Sequence, residues 1–355
     1  MKDEKSNSIK RVFVCGAGHQ GLSMAAHLAL NGVKVTLWNR NIDNIVKIVE
    51  NRKIYCSGVI NGTARIERAS DDLSEVISDF VMVTVPSNAH REIAQRLAPY
   101  VHKDMIIVLN PGRTFGAIDF HMTLQECGVK EFPQIAETQT IIYTCRKSNA
   151  DHVVIYALKN NVRIAALRNS NIMYIMDKMP DCLKKYLKIE NSVAVTSFSN
   201  VGMVLHCSPI MMNIGWIETE KTDFKYYYEG ISRSIANFLE KIDKERVDVA
   251  KGAGVDVASV SDWLKETYHV VGNNLYECIQ NNLFYKEIDA PKTIHCRYIL
   301  EDVPNGLVPV EFLGEQMGIH TPNMTMIINL ANIVLNKNFR KEGRQFSYNI
   351  LQKNF

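Results

Sequence analysis

A histidine in an otherwise apolar segment, residues 200–209, is the first side chain suited to chemistry. Histidine is a side chain that can give up a proton while another group delivers a hydride, so His206 is a candidate proton donor. It is one of ten histidines, and taken alone a core or surface role would be the more frequent explanation. Cys207 follows it, but neighbouring residues of a helix point about 100° apart, which disfavours a Cys/His nucleophile.

A second group of polar residues lies between positions 295 and 306. Arg297 is suited to hold a substrate carboxylate through two parallel hydrogen bonds, and Glu301 or Asp302 is suited to orient an imidazole. The proline and glycine of this segment predict a loop rather than a helix. A charged loop is more often simply solvated, so both explanations stay open at this point.

A glycine turn, GAGHQG at residues 16–21, follows an apolar run and precedes a helical pattern. This context is the one that a dinucleotide-binding turn requires. Gly16 permits the tight turn, Gly18 lets the backbone approach a pyrophosphate, and Gly21 allows close packing of helix against strand. The N-terminus of the helix offers N–H groups and a positive dipole to phosphates. A turn that binds nothing is the alternative, which this context disfavours.

The choice of cofactor is predicted from the end of the second strand, residues 34–38. NAD enzymes usually have a carboxylate there, whereas this chain continues with Asn39 and Arg40 and has no acid before Asp43. Arg40 is suited to pair with a 2′-phosphate and to stack on adenine, although it is also explained as a solvated charge. NADP is therefore favoured over NAD. The candidate cofactor-binding residues are Gly16, Gly18, Gly21, Asn39, Arg40, Pro86 and Asn110.

The elements that must position these residues alternate between strand and helix in the first half of the chain. Residues 81–85 and 105–109 are apolar strands, with a predicted helix at 87–100 between them. Apolar strands that alternate with helices indicate a parallel sheet covered on both faces. We predict an α/β N-terminal Rossmann domain, a doubly wound parallel sheet, over residues 1–190.

The pattern then changes to adjacent strands, with a hairpin predicted between residues 152–158 and 162–167 and a helix at 171–187. Beyond residue 190 helical patterns dominate, and Thr321 and Pro322 predict a helix start. The predicted helices of this part are 197–212, 224–250, 259–268, 273–283 and 322–335. We predict an all-α C-terminal domain over residues 191–355, with the boundary near 188–195.

Composition excludes several classes of protein. With 355 residues, 46% hydrophobic and 22% charged, the chain is typical of a soluble protein of two domains. A net charge of +3, spread along the chain, argues against a nucleic-acid or membrane surface. The eight cysteines form no CxxC pair and have no zinc-ligand spacing, which predicts reduced thiols and no metal. The polar N-terminus predicts no signal peptide. No segment approaches the length of about 20 apolar residues that a transmembrane helix needs, so we expect a cytoplasmic protein.

Several longer blocks resemble the NAD/NADP octopine/nopaline (opine) dehydrogenase family. They span nearly the whole chain in the right order and are more specific than the glycine turn. The blocks are residues 109–117, 136–146, 200–206, 213–218, 297–309 and 313–322. The resemblance implies an NAD(P)H-dependent enzyme that condenses a 2-keto acid, such as pyruvate, with the amino group of an amino acid and transfers a hydride to the imine.

The resemblance also implies roles for individual residues. His206 would be the general acid/base and Asp302 its polarising partner. Arg297 would bind a carboxylate of the substrate, and Arg113 and Thr138 match positions near the keto-acid site.

One departure and two alternatives accompany this interpretation. The family often has proline directly after the catalytic histidine, whereas here Cys207 intervenes and Pro209 follows, so we expect a local change in the turn or pocket wall. A 2-keto acid (ketopantoate-type) reductase usually has a lysine on the first helix of its second domain, and residues 197–212 contain none. A non-catalytic NADP-binding sensor would lack the His/Asp/Arg set, which is present. A homodimer is left open.

Overall fold

The computed structural model describes Ile9, residues 11–219 and residues 223–352. Residues 1–8, on which the signal-peptide prediction depends, lie outside this part. The described residues up to Gly112, together with Gly116–Thr196, form a first unit, and Arg113–Phe115 with the residues from Ser197 onward form a second unit. The chain passes from the first unit to the second between Thr196 and Ser197, a few residues after the predicted division at 190/191.

The strands belong to the first unit and form two sheets. They are β1 (Arg11–Cys15), β2 (Lys34–Trp38), β3 (Lys53–Gly58), β4 (Gly62–Arg65), β5 (Arg68–Ser70), β6 (Phe80–Val83), β7 (Ile106–Leu109), β8 (Gln134–Thr138), β9 (Tyr143–Asn149), β10 (His152–Leu158), β11 (Val162–Ala166) and β12 (Leu187–Ile189). The larger sheet has the order β12-β11-β8-β7-β6-β1-β2-β5, and the smaller one the order β4-β3-β10-β9.

The larger sheet is parallel except where β8 and β11 pair antiparallel. Every side chain of β6 and β7 is buried, as expected for central strands covered on both faces. Burying each of these apolar side chains stabilises the fold by about 1.5–3 kcal/mol. The predicted α/β fold with a doubly wound sheet is confirmed.

The predicted hairpin between residues 152–158 and 162–167 is wrong. β10 instead pairs antiparallel with β9 and parallel with β3, whereas β11 joins the larger sheet between β8 and β12. The chain leaves the smaller sheet at Asn161, whose φ of 55° is left-handed and tolerated by asparagine. Local patterning could not distinguish a hairpin from two strands that belong to different sheets.

The helices of the first unit are α1 (His19–Leu30), α2 (Val46–Asn51), α3 (His90–Leu97), α4 (Gly116–Glu126), α5 (Ile172–Lys178) and α6 (Asp181–Lys184). The single helix predicted at 171–187 is wrong, since α5 ends at Lys178 and Leu187 already begins β12. Pro180 explains the break, because proline disfavours the helical conformation of the residue before it. Met179 accordingly has an extended ψ of 134°.

Helix α7 (Val193–Phe198) leads from the first unit into the second, where helices predominate. The second unit contains α8 (Gly202–Met212), α9 (Ile214–Ile217), α10 (Arg233–Gly252), α11 (Val260–Tyr268), α12 (Leu275–Gln280), α13 (Arg297–Leu300), α14 (Val308–Met317), α15 (Pro322–Leu335), α16 (Phe339–Glu342) and α17 (Tyr348–Gln352). The predicted all-α character of this part is confirmed as largely helical.

The helix predicted at 224–250 is wrong at its start. Helix α10 begins at Arg233, where the Ser232 side chain accepts a hydrogen bond from the Ile235 N–H as an N-cap. The preceding segment is held differently, because the Tyr226 N–H donates to the Ile288 carbonyl at 2.8 Å. Helix α15 begins at Pro322 as predicted, although Thr321 gives it no side-chain cap.

The apolar stretch Val193–Met212 has the length and composition of a membrane-spanning helix. The expectation that no segment of the chain does so was therefore wrong. In the structure 94% of the apolar 18-residue window within this stretch is buried inside the protein, which is typical of a core helix. The predicted helix at 197–212 is also interrupted, because α7 ends at Phe198 and α8 begins at Gly202.

Candidate active site

Two glycines of the glycine turn are required by the backbone conformation and packing of the protein itself, whereas the third leaves space for a ligand. Gly16 has a left-handed φ of +110°, and a Cβ on Gly21 would lie 1.7 Å from the Gly16 carbonyl oxygen. Both are therefore fixed by the fold. Gly18 caps α1, yet a Cβ there would meet nothing within 4 Å. The open side of Gly18 fits a pyrophosphate that approaches the backbone at the helix N-terminus.

The end of β2 carries the two residues predicted to choose the cofactor. Asn39 Oδ1 accepts a hydrogen bond from the Ala17 N–H at 3.3 Å, which ties the strand end to the glycine turn. Arg40 Nη1 lies 2.7 Å from Glu92 Oε2, and Arg96 Nε lies 2.9 Å from Glu92 Oε1. Two guanidinium groups thus share one carboxylate, and the strand end has a positive excess suited to a phosphate.

Pro86, Asn110 and Thr138 lie at the same edge of the larger sheet. Pro86 and Asn110 come shortly after β6 and β7, and Thr138 is the last residue of β8. Because these three strands are neighbours and parallel, their carboxyl ends meet at the edge where such sheets bind ligands. The Thr138 hydroxyl donates to the Leu109 carbonyl at 3.3 Å.

His206 lies in α8, a helix that contains a proline. Pro209 has no N–H, so it cannot donate to the carbonyl of Leu205 one turn earlier. The Tyr226 hydroxyl lies 3.2 Å from that carbonyl oxygen and 2.9 Å from the carbonyl oxygen of His206. The Tyr298 ring stacks on the imidazole with 4.0 Å between centroids. Backbone and ring of His206 are therefore both held in place.

A short hydrogen bond joins His206 to Asp302, as the family resemblance implies. His206 Nδ1 lies 2.8 Å from Asp302 Oδ2, and the carboxylate is 1% exposed whereas the imidazole is 16% exposed. A carboxylate accepts, so Nδ1 carries the proton and the imidazole can exchange a proton through Nε2. This arrangement can hold an imidazolium and release its proton in a defined direction.

Arg113 compensates the acids behind this pair. Its Nη1 lies 3.5 Å from Asp302 Oδ1 and its Nε lies 3.5 Å from Glu301 Oε1. Burial disfavours the charge on Arg113, but the carboxylates of Asp302 and Glu301 outweigh it, so its pKa is raised. Arg113 Nη1 also donates to Asn200 Oδ1 at 3.2 Å, in the break between α7 and α8.

The backbone that carries Arg113 is strained and firmly held. Arg113 and Phe115 have left-handed φ values of 60° and 59°, which cost about 1–2 kcal/mol each for such residues. The Phe115 N–H donates to Ser197 Oγ at 2.9 Å, and Arg344 Nη1 donates to the Thr114 carbonyl at 2.7 Å. Strain of this kind persists where the surroundings determine the conformation, and it is frequent at active sites.

Arg297, predicted to bind a carboxylate, already has one as a neighbour. Its Nε and Nη2 donate to Glu301 Oε2 at 2.8 and 2.6 Å, and its side chain is 56% exposed. Glu301 therefore lies between the two arginines, with one oxygen toward Arg297 and the other toward Arg113. Glu301 was one of two candidates for orienting an imidazole, and its pairing with Arg297 was not predicted. Its spacing of four residues from Arg297 would have indicated the pair on a helix.

The prediction of a loop at residues 295–306 is wrong. Arg297–Leu300 form α13, and a π-helical turn, Val303–Leu307, continues directly into α14. Pro304 is tolerated because it lies at the start of that turn, where its missing N–H breaks no helical hydrogen bond. A Cβ on Gly306 would lie 2.7 Å from the Met203 Cβ, so glycine allows this turn to pack against α8.

Cys207 does not take part as a nucleophile. Its thiol is buried and lies 3.4 Å from the Tyr298 carbonyl oxygen. Burial, and after it the Asp302 carboxylate, raises the pKa of the thiol well above its usual value, so it stays protonated. In the described part of the chain, no cluster of three or more His, Cys, Asp or Glu residues is suited to hold a metal.

Replacing Arg113 by methionine should lower the free energy of unfolding by about 3–5 kcal/mol, because Asp302 and Glu301 would lose a buried counter-charge. Urea denaturation followed by circular dichroism measures this. Arg68→Met removes a half-exposed arginine paired with Glu75 and should cost less than about 1 kcal/mol. A loss as small in the first variant as in this control would contradict the buried cluster.

Comparisons with known proteins relate this chain to two families of dehydrogenases. Residues 189–335 match the family described as NAD/NADP octopine/nopaline dehydrogenase, alpha-helical domain, and residues 11–112 match the NAD-dependent glycerol-3-phosphate dehydrogenase N-terminus. The chain is 34% identical to an opine dehydrogenase from Arthrobacter sp. (strain 1C) over 338 residues, which cover 94% of this chain and 93% of the relative.

Two solved structures share the fold. The NADP+-bound yersinopine dehydrogenase has a TM-score of 0.78 at 11% identity, and the alignment covers 98% of this chain and 99% of the yersinopine dehydrogenase chain. The octopine dehydrogenase complex with NADH and agmatine has a TM-score of 0.73 at 19% identity, and the alignment covers 92% of this chain and 89% of the octopine dehydrogenase chain. Given the identity to the bacterial relative and the match of the helical domain, this chain belongs to the octopine/nopaline (opine) dehydrogenase family of NAD(P)-dependent oxidoreductases.

Proposed function

We propose that this protein is an opine dehydrogenase that joins a 2-keto acid, such as pyruvate, to the amino group of an amino acid, with His206 as general acid/base. The observation that carries the proposal is the 2.8 Å contact between His206 Nδ1 and the buried Asp302 carboxylate. It lies in the helical unit, the part of the chain that matches the helical domain of the opine dehydrogenases.

The chemistry requires a proton at a defined atom. Condensation of ketone and amine releases water, and reduction adds one hydride and one proton across the C=N bond. A bound nicotinamide cofactor supplies the hydride. Protonated His206 donates the proton, and Asp302 stabilises the imidazolium before the transfer and keeps its ring oriented. Tyr298 limits rotation of the ring through its stacking contact.

Substrate carboxylates require cations, and we assign this role to Arg297. Its half-exposed guanidinium presents two parallel donors that Glu301 occupies at 2.6 and 2.8 Å. A substrate carboxylate would take over these two donors from Glu301 Oε2, with one of its oxygens on each donor. The Arg113 side chain is only 14% exposed and faces two acids, so we propose that its charge acts on Asp302 and Glu301. Thr138 stays a predicted substrate-binding residue.

For the cofactor we propose NADPH, with Arg40 as a ligand of the 2′-phosphate. Arg40→Asp should reverse the preference between NADPH and NADH, because the new carboxylate repels the phosphate and accepts from the ribose hydroxyls. Dissociation constants from nicotinamide fluorescence measure the effect. Arg11→Asp, at the opposite end of the sheet, is the control and should leave the preference unchanged. Equal weakening of both cofactors by Arg40→Asp would instead indicate a damaged fold.

The activity itself is tested by following NADPH and NADH oxidation with a panel of keto acids, each with and without a panel of amino acids. Turnover that requires both an acid and an amine supports the proposal and identifies the substrates. Turnover with the keto acid alone would replace it by a hydroxy-acid (ketopantoate-type) reductase. Binding of NADPH without turnover on any pair would favour a sensor.

We also propose a reducing, cytoplasmic location. All eight cysteines are unpaired, and five of them are buried. Fractionation of the native cells, with thiol labelling of the protein, tests this, and recovery in an oxidised form outside the cytoplasm would contradict it.

A further inference from the structure

A lysine of the smaller sheet reaches the glycine turn. The backbone N–H of Lys147, on β9, donates to His19 Nδ1 at 2.6 Å. Its Nζ donates to the Ala17 carbonyl at 3.3 Å and to the Asn44 carbonyl at 3.3 Å. The Cys145 thiol of the same strand lies 3.4 Å from the His19 carbonyl oxygen. Strand β9 is thus attached to the turn at several points, and these contacts fix where the ammonium lies.

This ammonium has no ion-pair partner of its own. Within the described residues no carboxylate oxygen lies within 4.0 Å of Lys147 Nζ. Asp151 is the acid whose charge acts on it, and the Asp151 carboxylate pairs with His152 Nδ1 at 3.0 Å. Burial lowers the pKa of Lys147, and Asp151 opposes this only in part. A partly buried cation that is held by two carbonyl oxygens would gain most from an anion nearby.

The positions of the Ala17 and Asn44 carbonyl groups indicate which anion would lie near the ammonium. Ala17 belongs to the glycine turn, and its N–H is bound by Asn39 Oδ1. Asn44 ends a 3-10 helical turn, Ile42–Asn44, in the segment after β2. This segment also contains Arg40, and it borders the adenosine ribose in folds of this kind. Lys147 Nζ therefore joins the glycine turn to the segment after β2, and both segments are expected to border a bound dinucleotide.

We propose that Lys147, together with Arg40, recognises the 2′-phosphate of NADP(H), so that cofactor choice depends on the smaller sheet as well as on the end of β2. The inference rests on the proposed preference for NADPH.

Calorimetric titration of the full-length protein tests this without turnover. The ligands are NADPH and NADH, and also 2′,5′-ADP and 5′-AMP, which differ by the 2′-phosphate alone. Lys147→Met should weaken NADPH and 2′,5′-ADP by about tenfold or more, the loss expected for one charged hydrogen bond. NADH and 5′-AMP should change by less than about threefold. Lys147→Arg should restore most of the discrimination.

A matched control removes the same charge elsewhere. Lys34→Met, at the amino end of β2, should leave all four affinities unchanged. An equal loss for NADPH and NADH in Lys147→Met would overturn the inference and assign the lysine to the pyrophosphate or to the fold, and unchanged affinities would overturn it as well. If the wild-type protein binds 2′,5′-ADP no better than 5′-AMP, the NADPH preference fails before any variant is made. The opine dehydrogenase activity is judged separately, from the substrate panel.

Discussion

Replacing His206 by alanine is expected to lower kcat by about 10²–10⁴-fold, the contribution typical of a positioned general acid. The affinity for NADPH should change by less than about twofold, because the glycine turn and the end of β2 belong to the first unit. Steady-state kinetics at saturating keto acid and amine give the rate, and fluorescence titration gives the affinity. The separation of the two values distinguishes a chemical role from a structural one.

The control is His320→Ala, which removes an exposed histidine between α14 and α15 and should retain full activity. A His206→Ala enzyme that turns over at the wild-type rate would remove this residue from the mechanism. Loss of NADPH binding together with a lowered melting temperature would indicate unfolding and leave the rate without meaning, so both are measured on the same preparation.

Asp302→Asn should be nearly as damaging, with a kcat lower by about 10²–10⁴-fold, as expected when a charged orienting group is replaced by its amide. The amide preserves the shape of the carboxylate but carries no charge to stabilise an imidazolium at 2.8 Å. Its NH₂ group also favours the opposite tautomer of His206. The side chain is 1% exposed, so solvent cannot take over either role.

The stability of the Asp302→Asn variant should change much less than its kcat. Asp302→Asn removes one of the two acids that face Arg113, but Glu301 remains beside the guanidinium, so the fold should survive. Asp289→Asn, an exposed acid paired with Lys225, should affect neither rate nor stability. If Asp302→Asn lowers the melting temperature while kcat stays at the wild-type value, the carboxylate is structural and the proposed partnership with His206 is wrong.

Local sequence information was sufficient for the glycine turn, the central strands and the helical character of the second unit. Each can be recognised from the residue types and spacing within one short segment of the chain. The hairpin assigned to residues 152–158 and 162–167 failed for the opposite reason, because the partners of β10 and β11 are decided by sheets assembled from distant segments. Pro180 was visible in the sequence, and giving it more weight would have ended α5 correctly.

The candidate site shows the same division. His206 and Asp302 were assigned through the family resemblance, and the structure brings them together from positions 96 residues apart. The segment around Asp302 was taken for a loop because Pro304 and Gly306 usually interrupt helices. Packing of Gly306 on Met203 reverses that local preference. The Tyr226 hydroxyl contacts the Leu205 carbonyl, which Pro209 leaves without its usual helical donor. No periodicity of the sequence predicts this contact.

The tripeptide Arg113–Phe115 also limits how far this protein can be divided into exchangeable modules. It belongs to the second unit, although the chain on either side of it belongs to the first. A fragment or chimera that begins at Ser197 would inherit His206, Asp302 and Glu301 but take its compensating arginine from another parent or lose it altogether. Grafting of substrate specificity between relatives therefore requires two exchanged segments, because an exchange at a single junction would combine the acids of one parent with the 113–115 segment of the other.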